Sequence, residues 1–307
     1  MHKPVLYQEV LTYLQPRSGQ KYIDCTVGTG GHARGILSAS DPDGLLLGMD
    51  LDPTALSIAR ETLHEFEGRF TLVHASYTTL LDQMRMLGWG SVDGILLDLG
   101  VSSLQLDIAE KGFSFRVDAP LDMRFDPSSE LTAADLVNHL EEEELAQILF
   151  RYGEERFARQ IARAIVHSRP ITTTGQLAEI ISKTIGERKQ AIHPATRTFQ
   201  ALRIAVNREL EAVEQVLPQI IEALAPKGRV VVIAFHSLED RLIKEFFRRE
   251  SHDCICPPRQ PVCTCGHKAS LRLITPKAIK PSAQEIQLNP RARSARLRVA
   301  EKIERTH

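Results

Sequence analysis

Tyr22-Ile23-Asp24-Cys25-Thr26-Val27-Gly28-Thr29-Gly30-Gly31-His32 decides the fold. A short apolar strand, Tyr22 to Cys25, runs into Gly28, Gly30 and Gly31, and a helix is expected from about His32 to Ser38. Strand, glycine loop and helix in that order suit a nucleotide: the glycines let the backbone approach it, and the helix start offers free N–H groups. Ala33 stands where a dehydrogenase fingerprint has its third small residue, so this loop alone leaves hydride chemistry open. Asp24 speaks for another ligand. A carboxylate there is awkward beside a pyrophosphate but suits a ligand carrying an amino group and a sulfonium.

Working outward, Leu45 to Met49 reads as a buried strand ending in Asp50. Asp52 then caps a helix with Pro53 in its first turn. Asp50 follows Gly30 by twenty residues, where a carboxylate can accept both hydroxyls of a ribose. Phe70 to His74 and Asp93 to Leu97 are further strands, the latter ending at Asp98. Four strands that end in polar residues bring those residues to one edge of a parallel sheet, the edge where open α/β sheets bind ligands.

The alternation stops at about Glu110. Up to Ala205 only helices are expected, one starting at Thr132, others closed by Gly153, Pro170 and Gly186. The α/β pattern returns with the helical spacing of Leu210 to Leu224 and the β-rich run Arg229 to Phe235. The expected architecture is α/β, a Rossmann-like sheet formed by residues 1–109 and 206–307 with an all-helical insertion at 110–205. From about Ser251 onward the chain reads as a mostly irregular basic tail, with a short strand over Ala292 to Ala300.

With 307 residues, 43% hydrophobic and 25% charged, the composition excludes low-complexity, collagen-like and largely disordered classes. No apolar run reaches the roughly 18 residues that span a bilayer, and Met1 to Pro4 lead into no apolar segment, so a cytoplasmic protein without membrane association is expected. The net charge of -1 hides an asymmetry: Pro257 to His307 holds eleven basic and three acidic residues. Such a tail either attracts phosphates, with Arg291, Arg293, Arg296 and Arg298 as contacts, or is a solvated terminus. Cys254, Cys256, Cys263 and Cys265 lie within twelve residues. Four thiolates so close suit a structural zinc ion, although Cys-x-Cys is tighter than the usual spacing and a reduced cysteine-rich loop fits equally.

Several longer motifs carry a resemblance. They are Gly28-Thr29-Gly30-Gly31-His32, Asp98-Leu99-Gly100-Val101-Ser102-Ser103-Leu104-Gln105-Leu106-Asp107, Pro120-Leu121-Asp122-Met123-Arg124, Phe235-His236-Ser237-Leu238-Glu239-Asp240-Arg241 and Asn289-Pro290-Arg291-Ala292-Arg293-Ser294. So, too, Gly112-Phe113-Ser114-Phe115-Arg116 and the run from His193 to Arg203. Together they resemble the bacterial ribosomal RNA small-subunit methyltransferase H family, also called MraW, over nearly the whole chain.

The resemblance implies a class I S-adenosylmethionine-dependent methyltransferase that converts one cytidine of small-subunit (16S) ribosomal RNA to N(4)-methylcytidine, with the helical insertion recognising substrate. It also implies cofactor contacts at Gly30, Gly31, His32, Asp50, Tyr77, Asp98 and Gln105. Its partner would be that RNA, within an assembled or assembling small subunit; a homodimer is left open. A DNA amino-methyltransferase would share cofactor and chemistry, but those enzymes carry Asp/Asn/Ser-Pro-Pro-aromatic where this chain has Asp98-Leu99-Gly100-Val101. A nicotinamide-dependent oxidoreductase is the more distant alternative. Among the site residues Asp98 is the candidate proton acceptor, and Phe113 and Phe115 are candidates to stack on an unstacked base.

Overall fold

In chain order the elements are α1 (Tyr7–Leu14), β1 (Lys21–Asp24), α2 (Gly31–Ala39), β2 (Leu45–Asp50), α3 (Pro53–Thr62), β3 (Phe70–His74), α4 (Leu80–Met86) and β4 (Val92–Asp98). A helical stretch follows: α5 (Ser103–Asp107), α6 (Ala133–His139), α7 (Glu142–Gly153), α8 (Ala158–His167), α9 (Thr174–Ile185), α10 (Thr196–Asn207) and α11 (Glu209–Ala223). The chain closes with β5 (Leu224–Ala234), α12 (Ser237–Glu250), β6 (Leu271–Leu273), α13 (Ala283–Leu288) and β7 (Arg296–Lys302). This computed structural model describes residues 4–186, 193–257, 260 and 262–304.

Two compact units emerge, residues 1–100 with 210–307 and residues 101–209. The first holds a sheet in the order β3-β2-β1-β4-β5-β7-β6. β3 through β5 are parallel, while β7 runs antiparallel to both β5 and β6. Buried apolar side chains cover both faces. Ile23, Leu47, Ile95 and Val230 pack on one side, with Tyr22, Leu46, Leu96 and Val231 on the other. That two-sided burial explains the continuous apolar strands in the sequence. The register sets Asp24 opposite Gly48 on β2 and Leu96 on β4, so Asp24, Asp50 and Asp98 all lie at the carboxyl ends of neighbouring parallel strands. Asp52 caps α3 through the Thr54 N–H, with Pro53 at the first helical position.

The second unit is helical, with α6 to α10 packed around Leu145, Ile161, Leu177 and Leu202. Capping boxes start α6 at Thr132 and α9 at Thr173, and Gly186 caps the end of α9. Its edges fall at Val101 and Glu209, where the sequence suggested 110 and 205. Two rings expected to receive a base are packed instead. Phe113 stacks on Phe125, and Phe115 lies between His193 and Phe199 with ring centroids 4.5 and 4.9 Å away. Aromatic rings close a core as readily as they stack on a ligand.

The basic tail differs more. Where a mostly irregular segment with one short strand was expected, the chain forms β6, α13 and a 3₁₀ turn over Pro290–Ser294 as well, and the strand, β7, starts at Arg296, four residues later than expected. Arg298 Nε lies 2.7 Å from Asp240 Oδ1, and Arg296 Nη1 3.1 Å from Asp240 Oδ2. Arg298 is therefore a buried partner of α12 and no phosphate contact, and Arg296 is paired as well. The tail reading also took in Arg259 and Arg305, which lie outside the described residues.

Burial alone would raise the Asp240 carboxyl, but the hydrogen bonds and charges of Arg298 and Arg296 hold it below the ordinary carboxylate value. Stability from this pair is present above the unfolded carboxylate pKa and is lost as pH falls through the depressed folded one. Asp240→Ala leaves Arg298 buried without its anion and is expected to cost roughly 3–5 kcal/mol in urea denaturation at pH 7. A loss below about 1 kcal/mol, the value of an exposed pair, would contradict this.

Candidate active site

The loop after β1 is built around two carboxylates. Asp50 Oδ2 accepts from the Gly28 N–H at 2.8 Å, and its Oδ1 from the Asp52 N–H at 2.9 Å. Asp50 therefore ties the glycine loop to the turn after β2, and the remaining lone pairs on its oxygens can still accept from a ligand. Gly30 takes φ 86° at the N-cap of α2, where a side chain would meet the Cα of Ala59 at 3.3 Å. A Cβ on Gly31 would lie 2.5 Å from Pro4 Cγ, so packing alone already excludes a larger residue there.

Asp24 is 1% exposed. Its Oδ1 accepts from the Thr26 N–H at 3.2 Å, while Oδ2 has no partner. Thr26 joins β1 to β4, for its Oγ1 accepts from the Asp98 N–H at 2.7 Å. Asp98 Oδ1 is likewise buried and unpaired, although the side chain as a whole is 25% exposed. His32, on the first turn of α2, stands with Nε2 3.7 Å from Asp98 Oδ2, too far for a hydrogen bond. Neither of its ring nitrogens has a hydrogen-bond partner of good geometry.

Burial sets the electrostatics. It pushes Asp24 up to about 7, with the Thr26 N–H opposing and Asp50 adding to the rise. Asp98 is raised well above the ordinary carboxylate value by burial, by Asp24 and by Glu239 of α12. Asp50 is raised too, chiefly by burial. Burial pushes His32 down to about 4, with a looser contact to the Val5 backbone opposing, so the imidazole is neutral at pH 7. Among the described residues no lysine or arginine pairs with Asp24, Asp50 or Asp98.

The other expected residues divide. Tyr77 lies in a 3₁₀ turn after β3 and packs against the core of the sheet unit, at the same sheet edge. Gln105 belongs to the helical unit, and its Oε1 accepts from the Ser102 N–H at 3.0 Å while Ser102 Oγ accepts from the Gln105 N–H. That capping box accounts for Gln105 without a ligand. Sequence reasoning passed over Thr26 and Glu239. Glu239 Oε2 accepts from the N–H groups of Phe235 and His236, and His236 Nδ1 accepts from the Glu239 N–H. A Glu three residues after a cap-forming His at a strand end was the available signal.

The four clustered thiols come together in the sheet unit. Their Sγ atoms all lie within 4.8 Å of one another. The Ile255 N–H donates to Cys265 Sγ at 3.4 Å, and backbone hydrogen bonds pull Cys265 down to about 6.

Three raised carboxylates without a counter-cation are a poor cradle for a pyrophosphate. They fit a ligand that brings positive charge and hydrogen-bond donors, as S-adenosylmethionine does with its sulfonium, ammonium and ribose hydroxyls. Sheet order, the antiparallel β7 and this acidic edge define a class I S-adenosylmethionine-dependent methyltransferase. The chain belongs to the MraW methylase family, whose profile matches residues 1–303. It is 54% identical over 305 residues to the ribosomal RNA small subunit methyltransferase H of Thermomicrobium roseum, covering 98% of this chain and 94% of that one. To the protein of the same name from Geobacter sulfurreducens it is 53% identical, over 98% of this chain and 99% of that one.

His32 is expected to stay neutral down to about pH 5, its ring carbon resonances moving in NMR only near pH 4. A midpoint near the ordinary 6.5 would show the imidazole in contact with solvent.

Proposed function

We propose that the chain methylates the exocyclic amino nitrogen of one cytidine in small-subunit ribosomal RNA, giving N(4)-methylcytidine, and that it acts in the cytoplasm on the assembling or assembled subunit. The observation that carries this reading is Asp98, which ends β4 with a buried, unpaired Oδ1 beside Asp24 and His32. The names of the relatives supply the RNA.

S-adenosylmethionine supplies an electrophilic methyl carbon on a positively charged sulfur. Asp50 accepts from the ribose hydroxyls while holding the Gly28 N–H, and Tyr77 borders the same edge. The cytosine amino lone pair is delocalised into its ring, so an acceptor that takes one N–H in a hydrogen bond lets the nitrogen rehybridise. Asp98 is that acceptor. As the N–C bond forms and the C–S bond breaks, the surplus proton on nitrogen passes to the Asp98 carboxylate or through it to solvent. The rest is alignment, with roughly 3–3.5 Å between reacting atoms. The helical unit recognises the RNA, and Lys244 and Arg248, four apart on the exposed face of α12, offer phosphate contacts.

Labelled-methyl transfer to under-methylated small subunits, followed by nucleoside analysis, is expected to yield N(4)-methylcytidine; label in another nucleoside would overturn the assignment. Asp98→Asn, nearly equal in volume, is expected to lose at least about 10²-fold in single-turnover transfer at saturating cofactor. If saturation restores the rate, Asp98 serves the cofactor alone.

We also assign the cysteine cluster a structural zinc ion. The segment from Ser251 to Ser270 contains no buried residue among those described, so it has no core of its own to order it. Four thiolates around one ion replace that core. The segment is closed at its base where Ser270 N donates to Glu250 O and His267 Nδ1 meets His252 O at 2.9 Å. Purified protein is expected to hold about one zinc per chain, lost when Cys254 and Cys265 become Ser, with the sheet unit still folded. Elemental analysis that finds no metal in chelator-free protein would remove the assignment.

A further inference from the structure

The carboxyl edge of the sheet unit has a charge problem that the methyl-transfer reading does not by itself resolve. Asp24 faces Asp50 from β2, Asp98 from β4 and the thiol of Cys25, the residue that follows it. Asp98 faces Asp24, Glu239 from α12 and His32 from α2. The charges that raise Asp24 and Asp98 are acidic, and His32 is neutral; His236, with Nε2 3.1 Å from Glu239 Oε1, is the other imidazole in this group. Buried oxygens Asp24 Oδ2 and Asp98 Oδ1 have no hydrogen-bond partner, so neither backbone nor side chain offsets the charge at those atoms. A buried charge without a partner is avoided by protonation. Without a ligand, then, this edge holds at least one proton that an exposed aspartate would have lost at pH 7.

Resting on the reading of this edge as the S-adenosylmethionine site, we propose that Asp24 and Asp98 act as a charge sensor, giving up a proton to a sulfonium cofactor and keeping it with the neutral thioether product. The cofactor and its product, S-adenosylhomocysteine, share adenosine, carboxylate and ammonium and differ by one methyl and one positive charge. A methyl group alone discriminates weakly in a pocket. A formal charge beside two unpaired carboxylates discriminates well, because it replaces the proton they hold.

The device has two consequences. The product leaves a site that re-protonates and no longer attracts it, which favours exchange for fresh cofactor. And Asp98 becomes an ionised hydrogen-bond acceptor when the methyl donor is in place, so the acceptor for the cytosine amino group is armed by loading.

The sign of the pH dependence follows. Asp24 stands at about 7 without ligand and lower beside a cation. The cofactor therefore binds the deprotonated edge better, and its affinity falls by up to about tenfold per unit as pH drops below about 7. Affinity for the thioether stays nearly flat over the same range.

The test is isothermal titration calorimetry on the full chain at pH 7, in two buffers of different ionisation enthalpy, with S-adenosylmethionine and S-adenosylhomocysteine as the two probes. The expected result is net release of about half a proton or more with the sulfonium compound and close to none with the thioether. Asp24→Asn is expected to diminish that release while stoichiometry stays at one per chain. The wild-type comparison of the two probes stands even if this variant fails to fold. Equal proton counts for both probes, or parallel pH profiles, would overturn the charge sensor and leave the cofactor site intact. Binding of neither probe would overturn the cofactor reading itself, and the charge sensor with it.

Discussion

Burial of carboxylates at the carboxyl ends of β1, β2 and β4 is the constraint on which the rest of the site depends. Parallel strands in this order bring Asp24, Asp50 and Asp98 side by side, and the apolar layers on both faces bury Asp24 and leave Asp50 and Asp98 only partly open to water. Elsewhere in the same unit the fold gives its buried carboxylates a partner, a cation or, for Asp52 and Glu239, backbone N–H groups. Asp240 meets Arg298 and Arg296, and Glu301 meets Arg229 and Arg272. At the ligand edge two buried oxygens, Asp24 Oδ2 and Asp98 Oδ1, have none. A fold that satisfies its buried charges except along one edge has reserved that edge for a ligand that completes the balance.

The glycine loop follows from the same constraint. Asp50 spends one oxygen on Gly28 and the other on Asp52, so the loop shape and the ribose-facing carboxylate are a single arrangement. Thr26 does the corresponding work between β1 and β4, with its backbone bonded to Asp24 and its hydroxyl to Asp98. A change at any of these positions moves two site residues at once. That coupling is one reason for measuring binding and single-turnover rate separately.

Much of this was legible in the sequence, for physical reasons that can be named. Leu45 to Met49 reads as a strand because both of its faces are covered, and Asp52-Pro53 marks the start of α3 because cap and first turn use those residue types. Asp98 was legible as a strand end. Less legible were the charges on β7, whose Arg298 and Glu301 look like surface residues until their partners on α12 and β5 are known. The helices α1 and α10 were missed; the latter carries most of the His193 to Arg203 motif, whose polar residues obscure the apolar spacing. Phe113 and Phe115 were read toward a base because a sequence does not distinguish a ring that packs from one that stacks. The unpaired oxygens were invisible for the same reason. Partnership is a property of three-dimensional neighbours, and only the folded chain shows which atoms lack one.

The central claim is that this edge holds carboxyl groups which cannot all ionise until a cation arrives. Carbon-13 NMR of the aspartate side-chain carboxyls, titrated in ligand-free protein and assigned through Asp24→Asn and Asp98→Asn, tests it directly. The account predicts that Asp24 titrates near 7 and Asp98 well above the ordinary carboxylate range. If both titrate near 4, as exposed aspartates do, the edge is solvated and the account is wrong.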